Sequence, residues 1–373
     1  MSARLLDSEA YARALALRDL TDAALGPHAM QLLVRDAVAA LAERWRCAVV
    51  VHRAPPVVKI AENYDALGYP PDGAARDARY TRYVAADRLL RTQTSAMIPG
   101  ALRMLAPARC DDVLLVCPGL TYRRDAIDRV HVGEPHQLDL WRIARRPLGR
   151  AALEEMIDVA AHAMLPGAPL TLTPASHPYT VDGLEAHAVV DGRAVEVLEC
   201  GLAAPRILDD AGLASTEHHG LAMGIGLDRM LMLRKGVADI RELRSADPRI
   251  AAQMLDLAPY RPVSSQPAMR RDLSIAVPAE TTPEELGDRA RQALGARCAS
   301  VEAIEVLSET PHAELPAAAR ERLGIAPGQK NVLLRVVIRD LERTLTAAEA
   351  NALRDAIYAA LHAGSVHAWA PNT

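Results

Sequence analysis

The chain has 373 residues, half of them apolar, with a formal charge of −4. That length can bury one large core and a smaller one, so two domains are expected, and no apolar run approaches the length that crosses a bilayer. The near-neutral balance gives no global signal for nucleic acid, and the arginines at Arg142, Arg145, Arg146 and Arg150 read as a solvated surface cluster.

Met1–Leu20 reads as an amphipathic start and not as a charged-then-apolar leader, so a soluble, cytoplasmic protein without a membrane partner is expected. Val34, Val38, Leu41 and Trp45 recur at helical spacing and predict an amphipathic helix over 29–46, followed by a strand at Ala48–Val51. From there to about 145 the pattern is loops and short strands. Leu153–Met164 reads as a helix, Val195–Leu198 and Leu221–Ile225 as strands, and a helix begins near Asp228. Strands beside strands without βαβ alternation predict an α+β fold on an antiparallel sheet.

Residues 258–268, "APYRPVSSQPA", have the composition of a linker and separate a domain at 1–257 from a second at 269–373. In the second, "RRDLSIAV" alternates as a strand. Thr282, Pro283 and Glu285 form a helix-starting capping box with a first-turn proline, and "SVEAIEVL" and "NVLLRVVIRD" are further strands. Thr346 and Glu349 open another helix, and "SVHAWA" closes the order βαββαβ, a ferredoxin-like arrangement. Cys47, Cys110, Cys117, Cys200 and Cys298 are scattered and odd in number, which fits reduced thiols better than disulfides or a zinc knuckle.

The densest polar stretch is "TYRRDAIDRVHVGEPHQLDLW", residues 121–141. Read as two strands joined by a loop, it puts Arg123 and Asp125 on one face of the first strand and Gln137 and Asp139 on one face of the second. Such a floor offers a planar guanidinium for phosphate and acceptors for an ammonium group; the competing reading is cross-strand ion pairing on an exposed face. In "GLAMGIGLDRMLMLRKG", residues 220–236, Gly224 and Gly226 lack the third glycine of a dinucleotide turn. They sit instead on a strand that feeds a helix carrying Arg229, where glycine lets a ligand approach the backbone.

"LLRTQTSA" at 89–96, "YRRDAIDRVH" and "HQLD" within 122–139, "VEVLECG" at 195–201 and "GIGLDRMLML" at 224–233 resemble, in order, segments of the class II aminoacyl-tRNA synthetases of the phenylalanyl family, in a single-chain, organellar-like layout. "RRDLSIAV" and "RDLERTLTAAE" resemble that family's anticodon-binding domain. The resemblance implies a class II antiparallel sheet with flanking helices plus the ferredoxin-like domain. It also implies ATP and Mg²⁺ as cofactors, and a tRNA and an amino acid as partners. The expected reaction is activation of phenylalanine or a related aromatic or polar analogue as an adenylate, then transfer to tRNA. Carried onto this sequence, it implies that Arg123 and Arg229 are catalytic and that Arg123, Asp125, His131, Pro135 and Arg229 bind ATP. Glu196 is the implied metal ligand. Gln93, Ser95, Gln137, Asp139, His177, Tyr179 and Ala222 would hold the amino acid, and Arg270, Arg271, Arg339 and Arg343 would meet tRNA.

The chain departs from that family in a consistent direction. It holds nine tyrosines and no phenylalanine, and Pro135, His177 and Tyr179 stand where the family has phenylalanine. Asp139 replaces a glutamate. Buried hydrogen-bonding groups discriminate against ligands that leave them unpaired, so phenylalanine need not be the preferred substrate. Two other functions compete: a paralogue activating a non-standard amino acid for a non-tRNA acceptor, and a non-catalytic sensor of amino acid or tRNA. A monomer or a homodimer is expected, the helix at 29–46 being a candidate dimer surface.

Overall fold

Strand positions of alternating polarity are assembled into sheets in a computed structural model that describes residues 5–106, 111–190, 193–263 and 266–367. The chain divides into two compact units, Met1–Arg123 with Glu134–Tyr260, and Arg124–Gly133 with Arg261–Thr373. Among the described residues no helix is long and apolar enough to cross a membrane.

The first unit begins with α1 (Ser8–Leu15), α2 (Ala29–Trp45), β1 (Ala48–Val51), β2 (Val57–Lys59), α3 (Ile60–Asn63), β3 (Tyr83–Ala85), β4 (Arg88–Leu90) and α4 (Ile98–Leu105). It continues with β5 (Asp112–Leu120), β6 (His136–Ala144), α5 (Arg150–Met164), β7 (Leu170–Pro174), β8 (Thr180–Val190), β9 (Arg193–Ala203), α6 (Pro205–Asp210), β10 (His219–Gly226), α7 (Leu227–Lys235) and α8 (Pro248–Ala251). Seven strands form one sheet in the order β1-β5-β6-β10-β9-β8-β7, antiparallel except for the parallel β1–β5 pair. The expected α+β class with an antiparallel sheet is what forms.

The two faces of this sheet differ. Helices α2, α5 and α7 pack on one face, where Leu138 and Leu140 of β6 are fully buried. In α2 the buried stripe is Met30, Leu33, Ala37, Leu41 and Trp45. Val34 and Val38, expected at its centre, lie half-buried at its border. The opposite face carries Trp141 and Ala222, which join Met97, Leu102, Tyr179, Ile207 and Leu208 in a second apolar cluster. Gly201 on β9 is required there, because a Cβ would stand 2.7 Å from the Thr180 Cβ. That close approach brings in the turn bearing Tyr179.

Arg142 corrects the surface-cluster reading. Its side chain is fully buried on the helical face, its guanidinium 4.1 Å from the centre of the Trp45 ring, with Nε and Nη2 donating to Asp112 Oδ1 and Oδ2 at 2.9 and 2.7 Å. Period two on β6 assigns Arg142 the same face as Leu138 and Leu140, and burial of that face follows from α2. Arg145 and Arg150 are exposed and pair with Glu217 and Glu154.

In the second unit β11 (Met269–Pro278), α9 (Pro283–Leu294), β12 (Val301–Pro311), α10 (Ala317–Leu323), β13 (Gln329–Ile338) and α11 (Ala347–Leu361) follow one another. The sheet order is β11-β13-β12. Both capping boxes form, with Thr282 and Thr346 accepting from the Glu285 and Glu349 amides and each glutamate reaching back to its cap. The proposed closing strand "SVHAWA" does not form over residues 365–367, and residues 368–370 lie outside the described residues. Ile127 lies in this unit's core with Leu273, Ile275, Leu334 and Val336. The Ile304 amide donates to the Ile127 carbonyl at 2.9 Å, and buried Arg124 pairs with buried Asp288. Cys117 and Cys200 are buried free thiols, Cys47 is a half-buried free thiol, Cys298 is half-buried, and Cys110 lies outside the described residues.

Candidate active site

Register lays out the floor of the site. Antiparallel pairing aligns Asp139 of β6 with Gly224 of β10, and Gly224 with Glu199 of β9. One row away, Trp141 aligns with Ala222 and Ala222 with Gly201; one row the other way, Gln137 aligns with Gly226. Residues two apart on a strand share a face, so Gln137, Asp139 and Trp141 stand along one side of β10 and Glu199 along the other. Between them β10 is bare: a Cβ on Gly224 or Gly226 would meet nothing within 4 Å. The result is an open trough over a strand, with a carboxylate on each bank.

Asp139 is the most constrained group in it. Only 3% exposed, it accepts from Thr94 Oγ1 at 2.6 Å, from Ser95 Oγ at 3.0 and 3.1 Å, and from Trp141 Nε1 at 3.2 Å. Burial pushes its carboxyl up from 3.8 to about 6 against the pull of those three donors, because a desolvated carboxylate favours its neutral form. Gln137 Oε1 accepts from the Thr94 amide at 3.2 Å, and Gln93 accepts from the Tyr69 hydroxyl at 3.1 Å while donating to the Asn63 carbonyl at 3.2 Å. Burial holds the Tyr69 hydroxyl up at about 12, so it stays a donor. Aromatic walls rise beside the trough: Tyr179 lies 6.1 Å from Trp141, 6.4 Å from Tyr69 and 5.5 Å from His177, centre to centre.

Across the trough, His177 Nε2 stands 2.8 Å from Glu199 Oε2, and this partner raises the imidazole above its ordinary range. Glu196 Oε2 is 3.9 Å from Arg229 Nη1, where α7 leaves the glycine strand. Burial raises the Glu196 carboxyl, and the nearby Glu199 charge raises it further, while Arg229 opposes both. Beneath, on the helical face, Asp228 accepts from the His136 amide and lies 3.2 Å from its Nδ1, tying the start of β6 to the start of α7.

The two-strand reading of residues 121–141 needs correction. Strand β5 ends at Leu120, and residues 121–135 are irregular until β6 begins at His136. Alternation therefore does not apply to Arg123 and Asp125. The physical reason is apolar burial: Ile127 is taken into the core of the second unit, so the chain cannot continue as a strand. Thr121 closes the mouth of the loop, its amide and hydroxyl donating to the Pro135 carbonyl at 2.8 and 2.9 Å. Arg123 belongs to the first unit, after Tyr122, whose amide donates to the Arg91 carbonyl at 2.8 Å. Asp125 and His131 belong to the second unit. There the Asp125 carbonyl accepts from Arg291, and His131 Nδ1 lies 2.7 Å from Asp128 Oδ2.

The four arginines expected to meet tRNA are unlike one another. Arg270 is exposed at the start of β11. Arg271 alternates to the other face, where its Nε donates to Asn351 of α11 at 2.8 Å. Arg339, 15% exposed, is held by nearly buried Glu302, which also takes Arg129. Arg343 donates to the Glu349 carboxylate at 2.7 and 3.2 Å. Thr94, Tyr69, Trp141 and Glu199 join the site beyond the residues expected from the sequence. Period two on β6 was enough to find Trp141, whereas the others needed the fold.

The core matches the family described as "tRNA synthetases class II core domain (F)" over residues 44–254, and residues 264–365 match "Ferredoxin-fold anticodon binding domain". The chain belongs to the class II tRNA synthetase core family. Its relatives include phenylalanine–tRNA ligase alpha subunits. That of Prochlorococcus marinus (strain NATL2A) is 32% identical over 203 residues, which are 54% of this chain and 59% of the relative. That of Nostoc sp. (strain PCC 7120 / SAG 25.82 / UTEX 2576) is 32% identical over 191 residues, 51% and 56% of the two chains. That of Leptospira biflexa serovar Patoc (strain Patoc 1 / Ames) is 31% identical over 211 residues, 53% and 61%. The chain thus spans about three-fifths of the length of these relatives. In this synthetase core the trough over β10 lies wholly within the matched span.

Proposed function

We propose that the protein activates an aromatic amino acid with ATP and transfers it to a tRNA, as an aminoacyl-tRNA ligase related to the phenylalanine enzymes. The observation that carries this reading is the bare β10 trough, with Asp139 presented by three donors beside it. An ammonium group set on Asp139 replaces the water that burial removed, and the carboxylate then accepts a charge-assisted hydrogen bond. Gln137, Ser95 and Gln93 orient the rest of the amino-acid backbone, Ala222 leaves room beneath it, and Tyr179 and His177 face its side chain. The substrate carboxylate attacks the α-phosphorus of ATP and pyrophosphate leaves; a ribose hydroxyl of the tRNA then attacks the acyl carbon and AMP leaves. Neither step needs a protein nucleophile, so positioning and charge carry the rate.

Arg229 and Arg123 are assigned to the phosphates, with Pro135 at the adenine. Glu196 fits a magnesium ligand: it is a hard oxygen donor crowded by a second carboxylate, a charge that a cation relieves. Among the described residues no group of three or more His, Cys, Asp or Glu could hold a metal alone. Magnesium at nucleotide sites uses one or two protein carboxylates, and Glu196 would supply one. Bound there, the ion would neutralise phosphate charge. Exposed Arg270 and Arg343 are assigned first to the phosphate backbone of a tRNA, and Arg271 and Arg339, which also bond Asn351 and Glu302, complete the assigned set. Retention of the ferredoxin-fold domain supports a tRNA acceptor.

Amino-acid-dependent exchange between ATP and pyrophosphate, run over a panel of amino acids without tRNA, tests the reading. Exchange with at least one aromatic amino acid is expected. Absence of exchange with every member, from folded protein that binds ATP, contradicts it and leaves a sensor.

A further inference from the structure

The trough carries a second carboxylate that holds no part of the substrate backbone. Glu199 stands in the same row as Asp139, with Gly224 between them, so the two acids face each other across open space. Glu199 is not simply solvated. Its side chain is 35% exposed and engages His177, itself 16% exposed, at 2.8 Å. The His177 ring lies 5.5 Å from that of Tyr179, and Tyr179 stacks 6.1 Å from Trp141, which donates to Asp139. A wall of flat rings therefore runs from the acid assigned to the substrate ammonium to the acid–imidazole pair at the far end. That is the direction in which the side chain of a bound aromatic amino acid would extend.

A tether is the bland role for this pair, fastening the turn at 175–179 to β9. The turn is already fastened. Ala175 donates to the Gly183 carbonyl at 3.0 Å, Thr180 to the His177 carbonyl at 3.2 Å, and Ala204 to the Tyr179 carbonyl at 3.0 Å. The ring of Tyr179 is buried in the apolar cluster besides. A charged pair in a half-buried wall adds little to such an anchorage, and an apolar pair would fill the wall as well.

We propose that Glu199 and His177 select the substrate side chain, and that the site takes an aromatic amino acid whose ring edge bears a hydrogen-bond donor in preference to phenylalanine. The donor is a phenol hydroxyl, a ring amino group or a ring N–H. The inference rests on reading the trough as an amino-acid activating site. An unsubstituted phenyl edge strips water from the Glu199 carboxylate and returns nothing, whereas a donor restores the lost hydrogen bond. Sites built to bond a substrate hydroxyl reject the analogue lacking it by about 10⁴-fold or more. Here His177 already satisfies part of Glu199, so the discrimination expected is smaller, about 10- to 100-fold, the worth of one charge-assisted hydrogen bond.

The test is kcat/KM in pyrophosphate exchange for phenylalanine, tyrosine, meta-tyrosine, para-aminophenylalanine and histidine. It uses the wild-type chain, Glu199→Gln, and the double variant His177→Phe with Glu199→Ala, whose folding is checked by thermal melting. At least one donor-bearing substrate should exceed phenylalanine about tenfold in the wild type. The double variant should reverse the order by raising phenylalanine and lowering the donor-bearing substrate. Phenylalanine as the best wild-type substrate, or an unchanged ratio in a folded double variant, overturns the proposal while leaving the activating function standing. No exchange with any substrate removes both. If the double variant does not fold, the wild-type ratio and its response to Glu199→Gln decide.

Discussion

Replacing Asp139 by asparagine is expected to lower kcat/KM for the amino acid by about 10²- to 10³-fold, the loss of a buried charge-assisted contact to an ammonium group. Asparagine keeps the shape and can still meet Thr94, Ser95 and Trp141, so the loss reports charge. The same change should stabilise the fold at neutral pH. The folded carboxyl sits at about 6 against 3.8, so folding favours the protonated form. Its contribution is fully present below about pH 4 and is lost as pH rises through about 6, a swing of roughly 3 kcal/mol for a buried group. Urea unfolding of wild type and Asp139→Asn at pH 4 and pH 7.5 should show the variant gaining relative stability only at the higher pH. Exchange should run the other way in the wild type, with kcat/KM rising through about pH 6 as Asp139 ionises and no such rise in the variant. Unchanged exchange in Asp139→Asn would remove Asp139 from substrate binding.

Asp112→Ala is expected to destabilise the first unit by about 3–5 kcal/mol, because it leaves the buried Arg142 guanidinium without its carboxylate. The Trp45 ring at 4.1 Å offsets only part of this. Arg142→Met with Asp112→Ala should recover most of the loss, since a neutral side chain of similar volume can pack where the pair stood. Chemical denaturation of Asp112→Ala, Arg142→Met and the double variant measures the cycle. A loss below about 1 kcal/mol for Asp112→Ala would mean that the guanidinium reaches water.

What could be read from the sequence was local. The Thr282–Glu285 and Thr346–Glu349 boxes begin helices because both halves of each cap lie within three residues. Gln137 and Asp139 share a face because alternation on β6 is a property of the strand itself. Reading failed where a distant element decides. Nothing near Arg123 and Asp125 announces that Ile127 is buried in the core of the second unit, so alternation is no guide there. Arg142 looked like its exposed neighbours because only the packing of Trp45 and Asp112 reveals that it is enclosed. Glu199 passed unnoticed because its importance lies in register with Gly224 and Asp139 across two strands and in the return of His177 from a separate turn.

If the amino acid lies in the empty space above β10, Gly224→Val fills the space it needs. The added Cβ meets nothing within 4 Å, and a β-branched residue suits a central strand, so the fold should be unaffected. Pyrophosphate exchange by this variant, measured beside its thermal melt, should fall by at least about 10²-fold at an unchanged melting temperature, because the methyl groups occupy the trough. Exchange at the wild-type rate from a folded Gly224→Val protein would place the amino acid elsewhere.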